Sequence, residues 1–345
     1  MESKHRINFL LAAFAAVLLA TTAGQSTHRA AVWASELDTV QLQTLNVPLS
    51  QFPDALSTYL TGIRGDLITG FFTVAGGESV AVVYDRTSGL WTPLQVPLAA
   101  ATEAYGPDLT SSSYRVVGSY KNNVSESTNQ GFLYDAATNS YTTLNAPETF
   151  CGTTPCNSTI LHSIYGDANY ALVGNCTTST GSGTEDWSEY PAISSAPLHA
   201  FLYDSKSQSF SEIDVPEALS TTAYGIWIGE GVVAVAGGYT DLTGIHAYVR
   251  SLSSRESVVY NFPGASITHF EGITGAGAPG NYNVIGDYAD LKTKNVAGFF
   301  LPIRNWQAGA PVVIGKVSAN SVFQHSVIGV YGDAGQVNGY LAQVP

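Results

Sequence analysis

Four side chains scattered along the chain have the types needed for acid–base work on a glycosidic bond: Glu103, Glu271, His162 and His325. Such chemistry needs two carboxyl groups facing each other across a sugar, so these residues matter only if the fold gathers them. His162, His269 and His325 raise a second option, a shared metal ion. His162 and His325 lie four residues before Gly166 and Gly329, whereas His269 lies three before Gly272. One residue of offset turns a strand side chain to the other face. Unless a bulge intervenes, no three-histidine centre forms, and neither a metal nor a cofactor is expected.

A denser group lies in one stretch. Glu185, Asp186, Trp187, Glu189 and Tyr190 place an aromatic pair among three carboxylates, preceded by the polar run Thr178-Ser-Thr-Gly-Ser-Gly-Thr184. That composition reads as a loop, and loops on a rigid scaffold are where binding residues concentrate. Asp85, Asp135 and Asp204 each follow a tyrosine and open a polar turn, so they read as turn caps rather than repeated ligands. Gly275-Ala-Gly-Ala-Pro-Gly280 matches the dinucleotide fingerprint only literally, because Pro279 and a strand-like segment follow where a helix is required. Cys151, Cys156 and Cys176 are the three cysteines. In an exported chain one pair oxidises, with Cys176 joined to either of the others; Cys156–Cys176 is carried forward as the candidate, against three unpaired thiols. Sequons at Asn123, Asn157 and Asn175 are candidate glycosylation sites in a glycosylating host.

What must position these residues is a repeat. An outer element of aromatic-or-leucine, two residues, aliphatic, polar, small apolar and proline occurs at Leu42–Pro48, Trp91–Pro97, Tyr141–Pro147 and Phe210–Pro216, and more loosely before Pro263. A second element, small residue then aromatic then aliphatic, begins at Ala81, Gly131, Ala200, Ala247, Gly298 and Gly339. A third, valine-rich, ends at Gly70, Gly118, Gly174, Gly237, Gly286 and Gly329. Each is five to seven residues of alternating character bounded by turn formers, the signature of short antiparallel strands. With a weaker stretch before each valine-rich strand, a unit has four strands. Successive prolines lie 49, 50, 69 and 47 residues apart, and the long interval places an insertion at 177–197.

Repeated four-stranded units predict an all-β, six-bladed β-propeller of antiparallel blades. The first outer element lacks its inner partners and the last unit lacks an outer strand, so the N-terminal strand is expected to close the last blade. Phe323 to Gly332 reads as a compressed pair of strands, which leaves five blades plus a remnant as the alternative.

The string His199-Ala-Phe-Leu-Tyr-Asp204, with Gly131-Phe-Leu-Tyr-Asp135 and His246-Ala-Tyr248 as variants, resembles the bacterial HAF-type extracellular repeat proteins. The first unit is also similar to a kelch repeat through Gly76-Gly77, Val83-Tyr84-Asp85, Trp91 and Leu94. The resemblances imply a propeller-type fold, and for HAF-type repeats export, without a settled activity.

Residues 1–24 have the makeup of a signal peptide, with Lys4, His5 and Arg6 ahead of the apolar run Ile7 to Ala20. A linker at 25–39 and one propeller domain at 40–345 follow. No later stretch suits membrane insertion. A net charge of −13 repels phosphate backbones, which argues against nucleic acid. The expectation is a secreted (or periplasmic) monomer acting as a non-catalytic binding module for a glycan or extracellular protein. A carbohydrate-active enzyme and a purely structural surface repeat protein are the alternatives.

Overall fold

The computed structural model describes residues 40–150, 156–177, 197–290 and 295–345. The expected signal peptide and linker, Cys151 and the residues Glu185, Asp186, Trp187, Glu189 and Tyr190 lie outside the described residues.

Among the described residues every regular element is a strand, and the strands fall into six four-stranded antiparallel blades. A short strand, β1 (Leu42–Thr44), comes first. Blade 1 is β2 (Ser57–Arg64), β3 (Leu67–Thr73), β4 (Ser79–Asp85) and β5 (Leu90–Leu94). Blade 2 is β6 (Ala101–Leu109), β7 (Tyr114–Lys121), β8 (Gln130–Asp135) and β9 (Ser140–Thr143). Blade 3 is β10 (Ser158–Tyr165), β11 (Ala171–Thr177), β12 (Leu198–Asp204) and β13 (Ser209–Glu212). In blade 4 the inner strand is split into β14 (Ser220–Thr221) and β15 (Gly225–Gly229), followed by β16 (Val232–Thr240), β17 (Ile245–Ser251) and β18 (Ser257–Tyr260). Blade 5 has β19 (Ile267–Gly275), β20 (Tyr282–Asp290), β21 (Asn295–Arg304) and an outer strand in two pieces, β22 (Gln307–Ala308) and β23 (Val312–Gly315). Blade 6 is β24 (Ser318–Phe323), β25 (Ser326–Asp333) and β26 (Gln336–Gln343), with β1 as its fourth strand.

β1 pairs with β26, Leu42 opposite Ala342 and Thr44 opposite Tyr340. On the inside, Asn320 Nδ2 donates to the Leu60 carbonyl at 2.7 Å, joining blade 6 to blade 1. The ring is therefore a closed six-bladed propeller. The compressed last unit is corrected: its inner strand begins at Ser318, and β24 and β25 meet in a tight turn at Gln324 and His325. The polar sequence of β24 concealed it.

Two repeated contacts explain the repeat residues. A Cβ placed on Gly70, Gly118, Gly174, Gly237, Gly286 or Gly329 would lie 2.0–2.3 Å from a carbonyl oxygen of the adjoining inner strand, so each valine-rich strand must carry glycine there. In three blades the ring of Phe132, Phe201 or Tyr340 lies over that gap. These third-strand aromatics are fully buried in the core between neighbouring blades. The second contact links the outer strands of five blades to the next blade. The N–H groups of Val47, Val96, Ala146, Val215 and Phe262 donate to the hydroxyls of Thr58, Thr102, Thr159, Thr221 and Thr268.

Candidate functional site at the propeller axis

Every inner strand bulges at the same place. The residue left unpaired is Thr61, Tyr105, His162, Glu271 or Asn320 in five blades. In blade 4, Thr221 pairs Tyr239 but Gly225 pairs Ala236, so four steps oppose three and Tyr224 takes the bulge position before its glycine. A bulge re-aims its side chain, and these turn to the axis. Thr61, Tyr105, His162, Tyr224 and Glu271 line an axial cavity of about 30 Å³. His162 sits between two rings, its centroid 5.2 Å from Tyr105 and 4.1 Å from Tyr224.

Where the inner strands begin, the mouth is acidic and aromatic. Glu103 Oε2 accepts from Tyr105 Oη at 2.8 Å, and Oε1 accepts from Ser79 Oγ at 3.2 Å. The stacked Tyr59 and Phe71 rings, 4.7 Å apart, border this carboxylate, with Phe71 edge-on to Tyr105. All four side chains are half-buried. From the opposite side of the ring, the Glu271 carboxylate lies 3.0 Å from His269 Nδ1 and keeps 19% of its side chain exposed. Behind it, buried Asp287 accepts from Ser318 Oγ at 2.6 Å and from the Ala319 N–H at 2.8 Å. Burial, then the Glu271 charge, pushes the Asp287 carboxyl up to about 7. Burial pushes the His162 imidazole down to about 3, keeping it neutral.

The other end is plugged. The Arg64 guanidinium lies 4.0 Å from the Tyr165 ring, 4.6 Å from Trp227 and 5.8 Å from Phe323, aromatics of blades 3, 4 and 6. Its Nε is 3.2 Å from Asp108 Oδ1 in blade 2. One side chain thus spans the axis, and Arg64 lines the cavity together with Tyr105, His162, Tyr224 and Glu271.

The structure brings Glu103, Glu271 and His162 to the axis and leaves His325 out. His325 is an exposed turn residue whose Nδ1 meets the Pro345 carbonyl at 2.6 Å, because the β24–β25 turn falls where an inner strand was expected. The three histidines do not share a position: His162 is at a bulge, His269 two residues before one, His325 in a turn. Cys156 and Cys176 are joined, with Cα atoms 5.8 Å apart. Asn123 and Asn157 are exposed, but Asn175 is corrected as a glycan acceptor, since it is 1% exposed and its Oδ1 accepts the Ala223 N–H. Asp85, Asp135 and Asp204 each accept a backbone N–H two residues on.

His199, Glu212 and Asp214 come close enough to hold a cation. The arrangement has a structural explanation. Asp214 Oδ1 accepts the Ala200 N–H and Oδ2 meets His199 Nδ1 at 2.7 Å. Asn145 serves Gly131 and Gln130 in the same way, and Asn46 serves Gly339 and Asn338. The polar residue two places before the outer-strand proline is thus a latch on the third strand at Asn46, Asn145, Asp214 and Asn261, whereas Gln95 bonds the Ala99 carbonyl instead.

The class defined is a closed six-bladed β-propeller with an acidic, aromatic axial mouth. No protein-family model matches the sequence, and no curated protein matches it. Among solved structures, YjhT is similar at 10% identity over 85% of this chain and 96% of that one, with a TM-score of 0.49. The Aleuria aurantia lectin, in complex with Fucalpha1-6GlcNAc, aligns at 11% identity over 84% and 93%, TM-score 0.46. A mutant Trypanosoma rangeli sialidase displaying trans-sialidase activity aligns at 8% over 84% and 54%, TM-score 0.47. At these values the overlays transfer neither a ligand nor a residue role to this chain.

Proposed function

We propose that the protein is an exported, non-catalytic propeller that binds a glycan at the axial mouth. The observation that carries this reading is the half-buried Glu103 carboxylate bordered by the rings of Tyr59, Phe71 and Tyr105, with half-buried Glu271 in the inner strand of the opposite blade. Sugars present hydroxyls that carboxylates accept and C–H faces that rings cover. Each Glu103 oxygen accepts one bond within the protein and has a lone pair left for a ligand. The Cys156–Cys176 bridge suits an oxidising compartment. A hydrolase needs a proton donor that touches the sugar. Asp287, protonated up to about pH 7, is 3% exposed with both oxygens engaged, so it cannot serve.

The test is a thermal-shift and calorimetric screen of soluble oligosaccharides on residues 25–345. A ligand at a hundredfold excess over its Kd adds about 2.7 kcal/mol of stability. Binding that drops at least tenfold in Glu103→Gln and in Phe71→Ala, with the oligosaccharide recovered intact, is the expected result. Binding that both variants retain, or cleavage of the sugar, would refute the proposal.

A further inference from the structure

The latch at the outer edge of blade 3 is built from groups that the other latches lack. Asn46, Asn145 and Asn261 bring an amide to Asn338, Gln130 and His246. In blade 3 a carboxylate, Asp214, meets an imidazole, His199, with Oδ2 and Nδ1 2.7 Å apart. A second carboxylate joins them. Glu212 stands two places before Asp214, where the other three blades have Thr44, Thr143 and Val259. It lies opposite Phe201, two residues from His199, so strand alternation puts all three ionisable groups on one face of the sheet. One ligand atom from each of His199, Glu212 and Asp214 lies within 4.8 Å of the others.

Asp214 is fixed from behind. Its Oδ1 accepts the Ala200 N–H at 2.7 Å, which leaves Oδ2 toward His199; such outer bonds orient metal ligands. The His199 and Asp214 side chains keep 24% and 21% of their surface exposed, so the pair is partly desolvated yet within reach of an ion. Glu212 is exposed and free to swing onto it. Arg250 donates to the main-chain carbonyl of Asp214 at 3.0 Å, and among the described residues no lysine or arginine pairs with either carboxylate. Two carboxylates against one imidazole leave the group negative whether or not His199 is protonated. The latch itself does not need this charge, since amide pairs do the same work in blades 2 and 6. In blade 4, by contrast, both His246 nitrogens are engaged, Nδ1 by Asn261 and Nε2 by Asp241 and Thr243.

We propose that His199, Glu212 and Asp214 form a divalent transition-metal site, which binds zinc through one imidazole nitrogen and two carboxylate oxygens. That donor set suits zinc rather than calcium, which takes oxygens alone and more of them. Three protein ligands leave a position for water or for a donor from a bound molecule. The ion takes the place of the proton between Nδ1 and Oδ2: a neutral ring moves that proton to Nε2, and a protonated ring releases it to water. The site lies on the outer strands of blade 3, apart from the axial mouth, and is independent of the glycan reading.

The full chain, stripped with a chelator and dialysed, is titrated calorimetrically with zinc chloride and with calcium chloride. One equivalent of zinc is expected to bind at least tenfold tighter than calcium, and His199→Gln and Glu212→Gln each to weaken it at least tenfold. His199→Gln installs the residue that blade 2 has at Gln130, so a latch remains, and thermal melts without metal check that both variants fold. Should His199→Gln fail to fold, the exposed Glu212→Gln decides alone. His246→Asn is expected to leave zinc affinity unchanged. No zinc uptake, or uptake that Glu212→Gln and His199→Gln leave intact, overturns the site. Equal affinity for calcium reports attraction to an acidic surface and also overturns it.

Discussion

Arg64 carries a full positive charge into the middle of a ring of β-sheets, with its side chain 12% exposed and that of its partner Asp108 5% exposed. Burial pushes the guanidinium pKa down and the Asp108 carboxyl up, although each holds the other. Desolvation thus outweighs attraction, and the pair fixes geometry more than it stabilises. Arg64→Ala strands a buried carboxylate and empties the aromatic cage, with an expected loss of about 3–5 kcal/mol in urea unfolding. An Arg64→Met, Asp108→Asn double variant fills the cage, keeps an acceptor for the Gly166 N–H, and is expected to recover more than half of that loss. Full additivity of the two single changes would refute the coupling. Asp287 gives a pH signature at the same scale. Its folded pKa of about 7 lies above the unfolded value of 3.8, so the native state holds the proton more tightly. Its contribution is complete below about pH 4 and is lost as pH rises to about 7. The groups facing it are Glu271, His269, Ser318 and Tyr340. Asp287→Asn keeps an acceptor for the Ala319 N–H and donates from Nδ2 to Ser318 Oγ in place of the bond it accepted, and is expected to flatten the fall in stability between pH 4.5 and 7.5, measured against the wild type. An unchanged slope would show that another group titrates there.

At the scale of the strand, the glycines and the bulges are one device. The bulge tips an inner-strand carbonyl toward the second strand, where only glycine leaves room. Gly174→Ala would bring a methyl carbon to 2.3 Å from the Ile160 carbonyl oxygen. The expected cost is about 1–3 kcal/mol or more, whereas Gly231→Ala, where a Cβ meets nothing, carries only the strain of its positive φ of 79°. Comparable losses at the two sites, read from denaturant melts, would rule out the clash. This device accounts for what the sequence disclosed and withheld. Gly70, Gly118 and their equivalents repeat because every blade imposes the same contact, so they announced a propeller from spacing alone. The bulge residues face a shared axis rather than a repeated neighbour. They differ as Thr61, Tyr105, His162, Tyr224, Glu271 and Asn320, and self-similarity could not find them. Glu103 and Glu271 were recognisable by type, but their partners Tyr105, His269 and Asp287 follow only from the register. The threonine latches went unnoticed because threonine is common throughout the chain, and Arg64 because its cage draws on blades far apart in sequence.

The whole molecule depends on a closure three residues long. Five blades draw their four strands from contiguous sequence, and the sixth borrows β1 from the opposite end of the chain. Beyond the paired residues, Leu45 N–H donates to Gly339 O at 2.9 Å, and the Asn46 side chain bonds both Gly339 N–H and Asn338. Val47, 4% exposed, joins the core that links blades 6 and 1. Without this segment β26 becomes a bare sheet edge, open to pairing with another chain, and the seam between the last and first blades loses one wall. A chain starting at residue 50 therefore forgoes several net hydrogen bonds of about 1 kcal/mol each and the burial of Val47. The expected fall in Tm is about 10 °C, at the scale of about 2–4 °C per kcal/mol for a domain somewhat smaller than this, accompanied by concentration-dependent association on sizing columns. Adding a synthetic peptide of residues 40–56 in excess should restore most of the Tm and the monomer, because the missing strand supplies specific pairing rather than bulk. Rescue by a peptide in which Leu45 is replaced by proline would refute that specificity, since the Leu45 N–H to Gly339 bond cannot then form. A truncated chain with unchanged Tm would show that blades 1 and 6 hold the ring together through their inner strands alone, by contacts such as Asn320 to Leu60.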